Sequence, residues 1–378
     1  MFQLKYFCNL ISHMNQKTGY LMSKSPLNGQ PAMQGNGFYN KNSELQKAGI
    51  DHFIPTWKDL VETIKFGTSD AVVVDYASSQ GKNSLSPINI AVSSILSRNP
   101  KPNSISVIHT DLPSNDFSSL FETIEKSNNS YLSDHSKIFP FAVGRSYFEP
   151  ILPSNSVDIG WNSWSLQWLS SSPTNISDHI FIDCTEIINL KHSVSNQLAI
   201  DWAQFLRCRS KELKLGGKLM TIFIASRSHI SGWGPFWNEF WLTLLELRSF
   251  DLLSDTELAL ISLPIGVRSV EDIKAPFDKN NIFANLKLER LDIIDAPDPF
   301  WDAYQITRDP MTYGLRWANM AKAVAGPMIS KVLSNTQNSK CSLNEIFTRF
   351  AHRLSSHPFK VNHNLACVVV EKVNYDPE

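Results

Sequence analysis

The sequence predicts an α/β fold: a Rossmann-like sheet with a helical cap inserted late in the chain. Three observations predict it. Ala71–Asp75 and Ile105–Asp111 are apolar runs that each end in a carboxylate, and the helical stretch between them makes a β-α-β unit with a right-handed crossover. Strand-like and helical stretches then keep alternating as far as Ala225, the rhythm of an α/β domain. Past Ala225 the rhythm stops and aromatic residues crowd together. Only Leu365–Val370, an unbroken apolar run, reads as a buried strand returning to the sheet.

Taken in order, residues 31–50 read as a Gly-rich loop entering a short helix, with Asn42 or Ser43 as its cap. Ile54, Trp57, Val61 and Ile64 recur at helical spacing, predicting an amphipathic helix that ends by Gly67. The first strand follows at 71–75, a helix at about 87–98 and the second strand at 105–110. Residues 116–126 look helical, with Asp116 as a cap rather than a ligand contact. Short strands are expected at 138–143 and 156–160. A helix from about 195 to 215 is expected to stop at Gly216-Gly217, before a strand at 218–225. The basic positions within 207–214 read as a solvated helix face, with Glu212 pairing inside it. Beyond 225, helices are expected from Trp233 to Phe250, at 255–260, 270–275, 315–333 and 343–354, and a strand at 286–294. The expected division is a loose extension at 1–30, an α/β domain at 31–225 and 360–378, and a mostly helical capping region at 226–359.

A chain of 378 residues can bury a large core. Its formal charge of −1 offers no global attraction to nucleic acid or an anionic membrane. Five cysteines without a CxxC pair argue against a disulfide framework and a structural zinc site, and no metal is expected. No apolar run approaches the length of a membrane span. Residues 1–30 carry lysines but no Arg-rich amphipathic pattern, so they read as an extension rather than a targeting peptide. The cytoplasm is the default compartment.

Two strands ending in acids, the first followed by the small-residue loop Tyr76-Ala-Ser-Ser-Gln-Gly-Lys-Asn83, suit a nucleoside. Ligands of such sheets sit beyond the carboxyl ends of the strands. The loop backbone can approach the ligand, and Asp111 can accept hydrogen bonds from ribose hydroxyls.

The sequence at this point resembles the SABATH family of small-molecule methyltransferases, from about Met33 to Val373. Asp111-Leu-Pro-Ser-Asn-Asp-Phe-Ser-Ser-Leu-Phe121 is close to the family's D-L-P-x-N-D-F-x-x-L-F, and Ser163-Trp-Ser-Leu-Gln-Trp-Leu-Ser170 to S-Y-S-L-x-W-L-S. Asn42-Ser-Glu-Leu-Gln46 fits N-S-x-x-Q, and Phe205–Leu213 fits F-L-x-x-R-x-x-E-L. Segments 323–328 and 346–351 look like the family's cap helices. The resemblance implies a class I methyltransferase sheet, S-adenosylmethionine as cofactor and a small carboxylic acid as substrate, with homodimers frequent among relatives. It implies that Ser43 and Asn83 contact the methionine part of the cofactor. Asp75 ends the first strand of the site, Asp111 and Leu112 meet ribose and adenine, and Ser146 and Tyr147 line the adenine side. Gln46 and Trp168 would bond the acceptor carboxylate, while Trp164, Gln167 and Trp237 would line its pocket. Two departures stand in the first loop, where Ala77 replaces a glycine and Lys82 a proline; around 35–39 the glycine loop is shorter and Phe38-Tyr39 replaces Ser-Tyr.

Plainer readings compete at several positions. Asp75 and Asp111 could be turn acids, and Gln46 a surface amide. Trp161, Trp164 and Trp168, spaced i, i+3, i+7, would form one face of a helix and could be a core stripe. Trp202 and Trp301 read as core. His109, like His13, His135 and His192, lacks metal or triad spacing and reads as a surface or satisfied histidine. Two other functions share the fold: methylation of a ring nitrogen, and silent binding of a small molecule. A nicotinamide oxidoreductase fits less well, since no G-x-G-x-x-G follows the first strand.

Overall fold

The computed structural model describes residues 32–67, 70–98, 102–132, 136–173, 175–227, 231–278, 280–336 and 339–375. The expected extension at 1–30 lies outside them. Strands β1 (Ala71–Tyr76), β2 (Ile105–Asp111), β3 (Ile138–Gly144), β4 (Val157–Ser163) and β5 (Leu213–Ser226) form a parallel sheet. Strand β6 (Leu286–Asp295) and the returning strand β7 (Asn364–Lys372) complete it antiparallel, in the spatial order β3-β2-β1-β4-β5-β7-β6. The two-residue strands Arg268–Ser269 and Ile282–Phe283 pair with β5 and β6. Strand order reverses between β1 and β4, and the crevice beyond their carboxyl ends is where such a sheet opens to a ligand.

The long helices are α1 (Glu44–Thr63), α2 (Leu85–Ser97), α3 (Phe117–Lys126), α4 (Ile188–Glu212), α5 (Gly234–Ser249), α6 (Pro310–Asn335) and α7 (Leu343–Ser356). Where two pieces were expected at 43–67, α1 is continuous through Pro55. Its buried face explains this: Leu45, Ile50, Phe53, Trp57, Leu60 and Val61 pack as one stripe, whose burial outweighs the hydrogen bond lost at proline. Asp116 caps α3, its carboxylate accepting from Ser119 N at 3.0 Å.

Other expectations are corrected. The helix α4 ends at Glu212, and Gly216-Gly217 lies inside β5. The register steps there from Val157 opposite Leu213 to Ile159 opposite Lys218, a bulge that Gly216 enters at φ 76°. Nor is 207–214 wholly a solvated face, because Arg209 and Glu212 are both 0 % exposed. Arg209 pairs with Glu212 at 2.9 Å and donates to the carbonyls of Tyr147 and Glu149. Glu212 accepts from Ile151 N and Tyr76 Oη. The charges are retained because every one has a partner. Strand β6 falls within 226–359 yet belongs to the sheet, since its aliphatic face packs beside β7.

Helices α5, α6 and α7 pack through aromatic contacts centred on Phe236, whose ring lies 4.8 Å from Trp317 and 5.3 Å from Phe350. No helix among the described residues is long and apolar enough to cross a membrane.

Candidate active site

Two adjoining cavities occupy the crevice beyond β1 and β4. The first, about 300 Å³ of empty space, is lined by the loop after β1 from Ala77 to Ser84 and by Ser163 and Trp164 after β4. Small side chains leave the loop backbone accessible. Ala77 N and Ser78 N both donate to Thr110 O, at 2.8 and 2.9 Å, folding the loop back against β2. The turn forces Ala77 to φ 69°, the left-handed region that costs an alanine roughly 1–2 kcal/mol. Ala77→Gly is therefore expected to raise unfolding stability by about 1 kcal/mol, after allowing for the extra freedom of glycine in the unfolded chain. An unchanged or lower urea midpoint would show that the turn stores no such strain.

Asp111 anchors this loop. Its two carboxylate oxygens accept from Ser79 N and Leu112 N, each at 2.7 Å. Burial, countered in part by these two donors, pushes its pKa up to about 6. Each oxygen keeps a lone pair, so hydroxyl donors from a ligand would find an acceptor there. Behind it, Asp75 faces His109 Nδ1 at 3.1 Å, and His109 Nε2 lies 2.9 Å from Tyr131 Oη, all three being buried. His109 is thus the satisfied histidine expected, and Asp75 is oriented by it.

The segment before α1 closes over the loop. Gln80 is buried, donates to Gln34 O at 2.8 Å and accepts from Asn40 N at 3.2 Å. Lys82 Nζ reaches Asn40 O at 2.9 Å, so the lysine that departs from the family pattern serves as a strap. Asn83 lines the cavity and donates to Ser43 O at 3.1 Å. Sequence reasoning missed Gln80 and Asn40, whose partners lie 40 residues apart along the chain.

The second cavity, about 550 Å³ of empty space, brings together Gln46, Trp164, Gln167, Trp168 and Trp237. Gln46 is buried because it sits on the inner stripe of α1, in line with Gly49, Ile50 and Phe53. A Cβ on Gly49 would come within 2.9 Å of Trp164 Cζ2, so the glycine admits the indole. Trp164 adopts φ 55° at the end of β4, and its Nε1 donates to Gln46 O at 3.0 Å. The three tryptophans do not form one helical face. Trp161 lies on β4 against Trp57, Trp164 turns the corner, and Trp168 bridges Ile265.

Residues not singled out from sequence complete this wall, among them Phe181, Trp233, Ile265, Met320 and Val324. Trp233 was legible as a fellow of Trp237, one helical turn away; the others carry no local signal. Gln46 Oε1, Gln167 Oε1 and Trp233 Nε1 are buried there without a protein partner. Tyr39, Gln46 and Trp164 line both cavities and form their junction. Burial, with the charge of Asp111 nearby, pushes the Tyr39 phenol well above its usual range.

Among the expected cofactor residues, Asn83 alone lines either cavity. Ser43 and Asp111 stand one contact behind it, through Asn83 and Ser79. Leu112 and Asp75 lie at the adjacent strand ends. Ser146 and Tyr147, after β3, line neither; Tyr147 donates to Ser165 O at 2.9 Å and packs edge-on against Phe205. Among the described residues there is no cluster of His, Cys, Asp and Glu placed to hold a metal ion.

Known proteins resemble this chain in fold and sequence. A solved structure of loganic acid methyltransferase with SAH superposes with a TM-score of 0.73 at 20% identity, over 91% of this chain and 99% of that one. Anthranilate O-methyltransferase 2 of Zea mays is 24% identical over 369 residues, 89% of this chain and 96% of that protein. Methyltransferase FUS9 of Gibberella moniliformis is 26% identical over 264 residues, 68% of this chain and 70% of that protein. A family model described as SAM dependent carboxyl methyltransferase matches residues 31–373, through the sheet and both cavities, and the chain belongs to that family of S-adenosylmethionine-dependent enzymes.

Proposed function

We propose that this chain converts a small, largely apolar monocarboxylic acid to its methyl ester, with the cofactor in the first cavity and the acid in the second. One observation carries the reading: the two cavities meet at Tyr39, Gln46 and Trp164, and the acid-side lining holds no Asp, Glu, His, Lys or Cys. A hydroxyl acceptor would need a base to remove its proton. A carboxylate is already a nucleophile at neutral pH and needs none.

S-adenosylmethionine, when bound, supplies a methyl group activated by its sulfonium. The small loop 77–84 fits it, since little side chain fills the cavity. In this reading Asp111 accepts from the ribose, Leu112, Ser146 and Tyr147 flank the adenine, Ser43 and Asn83 hold the amino-acid end, and Asp75 is the acid ending the first strand of the site. Gln46 and Trp168 offer an amide and an indole N–H to the carboxylate, while the Trp164 indole N–H is already committed to Gln46 O. Helices α5 and α6, supplying Trp237, Met320 and Val324, wall the acid off from water. Alignment of this kind supplies roughly 7–11 kcal/mol of barrier lowering, and dehydration of the carboxylate adds to it.

The reading is tested with isotopically labelled cofactor and a panel of acids, their amides and nitrogen heterocycles. Acids should yield extractable labelled esters and amides should not. The rate should fall at acidic pH as the substrate protonates. Methylation of heterocycles with every acid ignored would sink the assignment.

A further inference from the structure

We propose that Lys82 is a cofactor residue: its ammonium takes the carboxylate at the amino-acid end of S-adenosylmethionine and fastens the segment before α1 over it. This rests on the placement of the cofactor in the first cavity and adds a charged contact to it.

A carboxylate entering that cavity needs donors, and the loop backbone has few left. Ala77 N and Ser78 N are both given to Thr110 O, Gly81 N to Ser78 O and Ser84 N to Gly81 O. Ser79 N is spent on Asp111 and Lys82 N on Asn40 Oδ1. The Asn40 amide is engaged as well, donating to Gln80 O and Thr123 Oγ1. The anion must therefore be met chiefly by side chains.

Among the residues lining the cavity, Lys82 alone carries a formal charge. Its Nζ donates to Asn40 O at 2.9 Å. An ammonium has three protons, so two remain for a ligand. The hydroxyl of Ser79, buried without a protein partner, belongs to the same lining and offers a further donor. These charges also give the site a direction. Asp111 ends β2 on the ribose side, and the cation stands beyond the loop, so a ligand with hydroxyls at one end and a carboxylate at the other is favoured in one orientation. Proline, which the resembled family has at this position, would supply neither the charge nor the N–H that Asn40 accepts.

The test is calorimetric titration of the full chain with S-adenosylhomocysteine and with its decarboxylated analogue, which keeps the ammonium and lacks the carboxylate. In the unaltered protein the first should bind about tenfold or more tighter. Lys82→Met removes the charge and keeps most of the apolar stem. It should weaken S-adenosylhomocysteine about fivefold, a modest loss because solvent screens an exposed ammonium, and leave the analogue equal or tighter. Equal weakening of both ligands would show that Lys82 only pins the strap and would overturn the inference, as would unchanged affinity for both. If the variant does not fold, the unaltered protein decides: its preference should shrink as salt is raised, and no preference, or one indifferent to salt, would overturn the inference. Asn83→Ala separates the contact from the placement. A silent Lys82→Met beside a weakened Asn83→Ala overturns the inference alone; if both are silent, the amino-acid end lies elsewhere and the placement falls with it.

Discussion

Gln46→Ala and Trp168→Phe should each lower kcat/KM for the acid by about tenfold or more, because each removes a donor from a buried carboxylate at about 1–3 kcal/mol per unpaired group. Phenylalanine keeps most of the ring that fills the cavity, so the second variant isolates the indole N–H. Alanine at 46 keeps the backbone carbonyl that holds Trp164, so the corner after β4 survives. Affinity for S-adenosylhomocysteine should stay within about twofold in both, since the contacts proposed for the cofactor at Ser43, Asn83 and Asp111 are unchanged. Loss of cofactor binding in parallel, or an unaltered kcat/KM, would remove these residues from the acceptor site.

Asp111→Asn should weaken cofactor binding by at least about tenfold, a charge-assisted bond being worth about 1.5–3 kcal/mol. The wild-type protein should show a pH dependence that the variant lacks. The carboxyl is raised to about 6 in the free protein, above its unfolded value, so this group favours the fold at low pH and that contribution is lost as pH rises through about 6. Ribose donors favour the ionised form. Affinity should therefore be full above about pH 7 and decline as pH falls through about 6, with protons released on binding near the midpoint. Calorimetry in buffers of different ionisation heat reads both quantities. A flat profile in the wild type would show that Asp111 does not need its charge to hold the cofactor.

The parallel sheet was legible because an apolar run that ends abruptly in an acid is a local signal, as at Asp75 and Asp111. The capping aromatics at 233–241 were legible as density. What escaped was set by distant partners. Arg209 and Glu212 look solvated in a basic run, and only the fold shows Tyr76, Tyr147 and Ile151 satisfying them. The short helix expected before residue 50 and the one expected after Ile54 are a single helix, because the stripe from Leu45 to Val61 carries it through Pro55. Gln80 is unremarkable in sequence because its partners come from the segment before α1. Phe181 and Met320 meet across one cavity although 139 positions separate them.

The division of labour between the two cavities bears on how such an enzyme diversifies. The first is formed by one short loop of mostly small residues, closed by Tyr39, Asn40, Gln46, Ile50 and Trp164. The second is shaped by large side chains carried on α5, α6 and the stretch around 265, segments remote in the chain from that loop. Under the proposed assignment, a single exchange at Trp237, Met320 or Val324 re-cuts the wall of the second cavity and touches no residue that lines the first. A gene of this kind can drift from one acid to another by point changes late in its reading frame, without passing through a form that has lost its cofactor.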